Sequence, residues 1–94
     1  MRSRIFTIQN KAGIHCRPSS VILNAIKNEF PDHLIEVVLE SGKRAEINSI
    51  LTLLSLELAC GVTATLCVEG IDEDKAVQRL GDLFEQHFDF PPMR

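Results

Sequence analysis

The stretch Leu34-Ile35-Glu36-Val37-Val38-Leu39-Glu40-Ser41-Gly42-Lys43-Arg44-Ala45-Glu46-Ile47 is read with a period of two. Ile35, Val37 and Leu39 fall on one side, and Glu36 and Glu40 on the other, as in a half-buried strand. Ser41 and Gly42 form a hairpin turn, and residues 43–47 return with Ala45 and Ile47 inward. A hairpin of this kind cannot bury its apolar face alone, so the flanking chain must supply the cover. On the N-terminal side, Arg4-Ile5-Phe6-Thr7-Ile8 is short, β-branched and aromatic, which predicts a strand. Residues 10–13 form a turn ending in Gly13, and His15-Cys16-Arg17-Pro18 opens a helix that runs to about Glu29. Ile22, Ala25, Ile26 and Phe30 recur at helical spacing, and Pro31 stops the pattern.

On the C-terminal side, Asn48 and Ser49 are capping types ahead of a short helix from Ile50 to about Leu58, which ends near Gly61. Val62, Ala64, Leu66 and Val68 alternate with Thr63, Thr65 and Cys67 as a strand. Gly70 ends it. Asp72 is expected to cap a last helix whose buried stripe is Ala76, Leu80, Leu83, Phe84 and Phe88. The order β-α-β-β-α-β-α, with strands of alternating faces and helices gathered on one side, is an α+β open-faced β-sandwich. One domain is expected over residues 1–88, followed by a short tail over residues 89–94, where Pro91 and Pro92 end ordered structure.

The chain has 94 residues, of which 45% are hydrophobic and 24% charged, and a formal net charge of −3. This composition excludes a disordered, collagenous or membrane-spanning chain. The acidic balance argues against non-specific nucleic-acid binding. No secretory signal pattern opens the chain. Cys16, Cys60 and Cys67 form no CxxC pair and cannot pair evenly, which suits reduced thiols in a cytoplasm rather than a zinc site. The charge is uneven: residues 1–30 hold five basic side chains and one acidic, whereas residues 31–94 hold five basic and twelve acidic. An anionic ligand or acidic partner near the N-terminal part fits that asymmetry.

The basic part surrounds Gly13-Ile14-His15-Cys16-Arg17-Pro18. His15 immediately precedes a helix, whose unpaired N–H groups and positive dipole end make an anion site. Cys16 and Arg17 form that helix start, and Arg17 adds a planar donor fork suited to phosphoryl oxygens. Imidazole is nucleophilic and titrates near neutrality, so His15 can accept and release a group without a metal. On local chemistry alone, the same residues also suit a histidine that merely caps a helix beside a solvated arginine. A cysteine-phosphatase loop is excluded, because its arginine lies well downstream of the cysteine. Here Arg17 is adjacent to Cys16, and the downstream position is Ile22. Cys16 reads as a small helix residue with incidental reactivity, and a low thiol pKa at a helix start would favour its oxidation. His33 and His87 read as surface or boundary residues. The Asp72-Glu73-Asp74 run lacks the oxygen spacing of a calcium loop, so no metal and no cofactor are expected.

The segment resembles the active-site motif of the HPr family, the histidine-containing phosphocarriers of the bacterial sugar phosphotransferase system, whose pattern is Gly-(Leu/Ile)-His-Ala-Arg-Pro-Ala. Cys16 and Ser19 depart from it. The likeness continues through Gly42-Lys43, Asn48-Ser49-Ile50-Leu51, Leu54-Ser55-Leu56, Gly61 and Gly70-Ile71-Asp72-Glu73, and spans roughly residues 4–87. It implies a four-stranded antiparallel sheet with three helices on one face. It implies that His15 is the phosphoacceptor, loaded by enzyme I and unloaded by the A domains of enzyme II sugar permeases, with Arg17 beside the phosphohistidine. Ser49 matches the serine that an HPr serine kinase modifies in some bacteria, and Ile50, Leu51 and Leu54 match the apolar surface that docks partners. The implied protein is a cytoplasmic monomer that binds neither nucleic acid nor membrane.

Asn48 stands where the family usually has lysine before the serine. Lys and Gly of the family's Gly-Ile-Ala-Lys-Gly segment are replaced too, by Glu57 and Cys60. These departures bear on the kinase and on a transcription-factor partnership, and they motivate the first of two other readings. One is a regulatory paralogue that serves a nitrogen-type relay or binds a regulator without sugar transport. The other is a non-catalytic interaction module.

Overall fold

A computed structural model of the chain describes residues 2–11, 13–14 and 16–86, with Cys16 by its backbone alone. Seven elements follow one another: β1 (Arg2–Thr7), α1 (Cys16–Glu29), β2 (Leu34–Leu39), β3 (Arg44–Glu46), α2 (Ile50–Ser55), β4 (Thr63–Glu69) and α3 (Glu73–Glu85). The strands form one antiparallel sheet in the order β1-β4-β2-β3. This is the expected open-faced sandwich, and the helices cover one face of the sheet.

The two-residue period of the strands decides which face is covered. Phe6, Ile35, Val37, Ala64, Leu66 and Val68 point to one side and are almost wholly buried. Their neighbours Ile5, Leu34, Val38, Thr65 and Glu36 point to the other. From the helices come Ile22 and Ile26 of α1, Leu53 of α2, and Leu80 and Phe84 of α3, joined with the strand residues in one core. Phe84 stacks on Phe6 with ring centroids 4.6 Å apart.

The hairpin closes as its turn chemistry requires. Gly42 takes φ +96, the Gly42 N–H donates to the Leu39 carbonyl at 2.9 Å, and the Leu39 N–H donates to the Lys43 carbonyl at 2.8 Å. β3 is shorter than expected, because Ile47 leaves the ladder to drop into the core while its N–H still reaches the Ile35 carbonyl.

Two sequence expectations are corrected. α2 ends at Ser55 rather than near Leu58. Glu57 takes a positive φ of +52, which breaks the helix and turns both Leu56 and Leu58 into the core. Asp72 precedes α3 but does not cap it: its backbone is left-handed, and its side chain makes no capping bond. The acid that ties this corner is Glu73, whose carboxylate accepts from the Gly70 N–H at 3.2 Å. Phe88, assigned by spacing to the α3 stripe, lies outside the described residues. The described helix ends at Glu85, and Val77 and Gly81 join its buried side.

The last turn of α3 is held to β1 by Arg4. Its guanidinium donates to Asp82 and to Glu85 at 2.9 Å each, and to the Gln78 carbonyl at 3.0 Å. The second Glu85 oxygen accepts from the Thr7 N–H at 3.0 Å. Gly81 makes this possible, since a Cβ there would stand 2.6 Å from the guanidinium. α1 and α3 are tied by the Arg79 fork on Glu29, with bonds of 3.1 and 3.2 Å, which holds the Glu29 carboxyl below its ordinary range. Both side chains are exposed, so the pair orients more than it stabilises.

Two substitutions test this packing in urea unfolding. Phe84→Ala is expected to cost about 3–5 kcal/mol, the usual range for an aromatic lost from a core. Ser19 is fully buried in α1, and its hydroxyl finds no hydrogen-bond partner among the described residues. Ser19→Ala is therefore expected to raise stability by about 1 kcal/mol, by removing an unsatisfied polar group. A lower midpoint in Ser19→Ala would contradict that account.

Candidate functional site

The segment ahead of α1 is set by a tight turn. The Gly13 N–H donates to the Asn10 carbonyl at 2.9 Å, and the Asn10 side-chain amide donates back to the Gly13 carbonyl at 2.7 Å. Asn10 is fully buried. Gly13 takes φ +74, and a Cβ there would stand 2.7 Å from the Leu58 carbonyl oxygen and 3.0 Å from the Ala59 Cα. Glycine is demanded twice, by the backbone angle and by the space. The Ile14 N–H then donates to the same Leu58 carbonyl at 2.7 Å, and its side chain is buried. α1 begins two residues later, with Pro18 buried in its first turn, where a missing N–H costs nothing.

His15 and the Cys16 side chain lie outside the described residues. The chain on either side of His15 is described: Ile14 docked on the 56–62 loop, and the backbone of Cys16 in the first turn of a 14-residue helix. The orphan N–H groups and the positive dipole end of that helix therefore start one residue beyond His15. Arg17 is exposed in the same turn.

The second segment adjoins the first. Ser49 is the N-cap of α2, with extended backbone, and its hydroxyl accepts from the Thr52 N–H at 3.2 Å and lies 3.0 Å from the Thr52 hydroxyl. Asn48 accepts from the Thr52 hydroxyl at 3.3 Å. α2 divides its apolar residues: Leu53 is buried, Leu54 is half-buried, and Ile50 and Leu51 are 37% and 78% exposed. A shallow groove of ≈ 320 Å³ runs between Ser20, Asn24 and Lys27 of α1 and residues 48–51. Arg17, Ser20, Asn24 and Lys27 succeed one another at spacings of three and four, so they share one face of α1. That face joins the arginine, the capping serine and the exposed Leu51 into one continuous surface.

Two participants were not legible as such. Asn10 reads in sequence as an ordinary turn residue, yet its buried amide braces the turn. The available signal was an asparagine three residues before a glycine, the pairing that closes short turns on itself. Glu57 reads in sequence as a departure from the family segment, and it takes φ +52, where glycine is the easier residue. The other candidates are placed elsewhere. His33 packs edge-on against Phe30, with its Nε2 on the Ile71 carbonyl, and serves the fold. Cys60 is exposed, Cys67 is buried in β4, and His87 lies outside the described residues. Among the described residues, no three His, Cys, Asp or Glu side chains gather as metal ligands would.

Asn10→Ala should lower stability by about 1–3 kcal/mol, because the Gly13 carbonyl loses a buried donor. Amide-exchange protection of Ile14 should fall with it. Unchanged Ile14 protection would show that the turn does not depend on this side chain.

The family model described as the PTS HPr component phosphorylation site matches residues 2–86. A phosphocarrier protein HPr from Lysinibacillus sphaericus is 40% identical over 86 residues, covering 92% of this chain and 94% of that one. A phosphocarrier protein NPr from Shewanella violacea is 35% identical over 86 residues, covering 92% and 91%. The crystal structure of HPr-C-His from Thermoanaerobacter tengcongensis superposes with a TM-score of 0.79 at 30% identity, covering 89% of this chain and 91% of that one. With a family model spanning nearly the whole chain and the same architecture in a solved relative, the chain belongs to the HPr component family of the phosphotransferase system.

Proposed function

We propose that the protein relays phosphoryl groups within a phosphotransferase system through His15. The family and its relatives support a phosphocarrier role. The observation that carries the assignment to His15 is the clamped backbone before α1. The Asn10–Gly13 turn and the Leu58 carbonyl hold Ile14, and α1 starts two residues later, so a helix N-terminus, which suits an anion, follows His15 directly in the chain.

The transfer needs no pocket. A ring nitrogen of His15 attacks the phosphorus of the donor's phosphohistidine in line, and the bond to the donor nitrogen breaks as the new one forms. An acceptor histidine then attacks the His15 phosphoryl group, and the imidazole leaves neutral. Positioning and electrostatics carry such steps, and Arg17 with the α1 N–H groups balances the charge on the phosphoryl oxygens. Enzyme I is the proposed donor, and A domains of enzyme II permeases the proposed acceptors. Ile50, Leu51 and Leu54 serve as the docking surface. Ser49 is the site for an HPr serine kinase, where phosphate would meet the α2 start and add negative charge to the docking surface. The protein is proposed to act as a monomer in the cytoplasm. Among the described residues, no helix is long and apolar enough to cross a membrane.

A regulatory relay is the second reading, and the likeness to the NPr protein favours it. It keeps His15 and changes the acceptor.

With enzyme I and phosphoenolpyruvate, intact mass should show an acid-labile gain of one phosphoryl group that is absent in His15→Ala. Arg17→Ala should keep the gain but slow transfer by about 100-fold, the loss typical of one charge-stabilising donor. No gain in the native chain, with an enzyme I active on another carrier, would overturn the assignment. Transfer onward to a sugar-specific A domain would set aside the regulatory reading.

A further inference from the structure

The sheet has two edges, and they are not alike. At the β1 edge, the Thr7 N–H points away from β4 and is taken by the Glu85 carboxylate, with Arg4 fastening α3 alongside. At the β3 edge, nothing among the described residues closes the strand. The Leu39–Lys43 and Ile35–Ile47 backbone bonds set the parity of the hairpin. Lys43, Ala45 and Ile47 therefore bond toward β2, and the N–H and C=O groups of Arg44 and Glu46 point away from it. Both of these side chains are exposed, while Ala45 packs toward the core. Glu46 stands directly opposite Glu36, a like-charge pair that weakens a sheet. Arg44 reaches Glu36 at 3.6 Å, whereas Glu46 has no ion pair among the described residues.

We propose that β3 pairs with β3 of a second copy of the chain, antiparallel about a two-fold axis through Ala45, so that two sheets join into one of eight strands. Three observations fit this occupant. The first is backbone pairing. An axis at Ala45 sets Arg44 opposite Glu46 of the second copy, and Glu46 opposite its Arg44. Residues so opposed exchange both backbone bonds, so every open group of Arg44 and Glu46 is satisfied in both copies at once. The second is charge. Each Glu46 gains the cation it lacks, from an arginine whose fork keeps donors to spare beyond Glu36. Moving the axis to Arg44 or to Glu46 would set like charges face to face, so the charges select one register. The third is size. Ala45 lies on the axis and brings only a methyl group to the closest approach of the two strands. Short charged edge strands ordinarily resist pairing, but here the alternating signs complement themselves. A three-residue strand buries less than a standard interface, so the dimer is weak and in equilibrium with the relaying monomer.

The test is sedimentation equilibrium of the full chain up to about 1 mM, the range of a weak complex, with amide exchange as a second reading. The native chain should form a dimer that grows with concentration and weakens with salt. The Arg44 and Glu46 amides should gain protection in step with it. Arg44→Glu and Glu46→Arg should each weaken association about tenfold or more, because like-charge contacts replace both opposite-charge ones. An equal mixture of the two variants should associate more tightly than either alone, since one copy then offers two acids and the other two bases. A native chain that stays monomeric at about 1 mM would overturn the proposal. Single variants that dimerise like the native chain, or a mixture no tighter than its parts, would overturn it as well. So would protection of both amides at every concentration, by assigning the edge to another segment of the same chain.

Discussion

The carbonyl of Leu58 is the contact on which the site depends. It accepts from the Ile14 N–H at 2.7 Å, and the missing side chain of Gly13 lets the two backbones approach. That bond joins the start of α1 to the loop after α2, so it fixes the helix terminus relative to the proposed docking surface. The loop must turn sharply to present the carbonyl, and it does so through Glu57 at positive φ, a conformation that costs a side-chain-bearing residue about 1 kcal/mol. Local strain here supports a backbone placement that the phosphoryl chemistry would use.

The rest of the fold serves that placement. Leu56 and Leu58 are drawn into the core on either side of Glu57, so the loop is anchored by burial at two points. α1 is seated by Ile22 and Ile26 and tied through Glu29 to Arg79 of α3, and α3 is locked to β1 by Arg4. The helix that follows the proposed phosphoacceptor is thus braced at both ends. Charge transfer at its N-terminus needs little reorganisation when the donors are already oriented.

The division of labour across α2 follows from its shortness. A helix of six residues can bury only one side, and Leu53 takes it. The apolar residues left over, Ile50 and Leu51, stand beside the polar groove of α1. The surface therefore mixes an apolar knob with hydroxyl, amide and ammonium groups. Such a surface suits transient partners, which must be bound and released in turn.

Much of the architecture was legible because periodicity reports burial directly. Ile35, Val37, Leu66 and Val68 alternate in sequence and are buried in the structure. Ile22, Ala25, Ile26 and Phe30 recur at helical spacing and are buried as well. The likeness around Gly13, Arg17 and Ser49 located the surface before any geometry was known. Less was legible where a residue's role depends on its backbone angle or on a partner distant in sequence. Asp72 has the composition of a cap, but its left-handed backbone carries the carboxylate away, and Glu73 makes the contact. The end of α2 was misplaced by the leucine run, because leucine is favoured in a helix and in a core alike.

The sequence by itself determined the order of the elements, the faces they bury and the segment that resembles the family motif, since each depends on residues near one another in the chain. Only the tertiary structure decided that Leu58 receives Ile14 and that Arg4 reaches the last turn of α3. Those contacts depend on backbone angles and long-range approach, which no local pattern encodes.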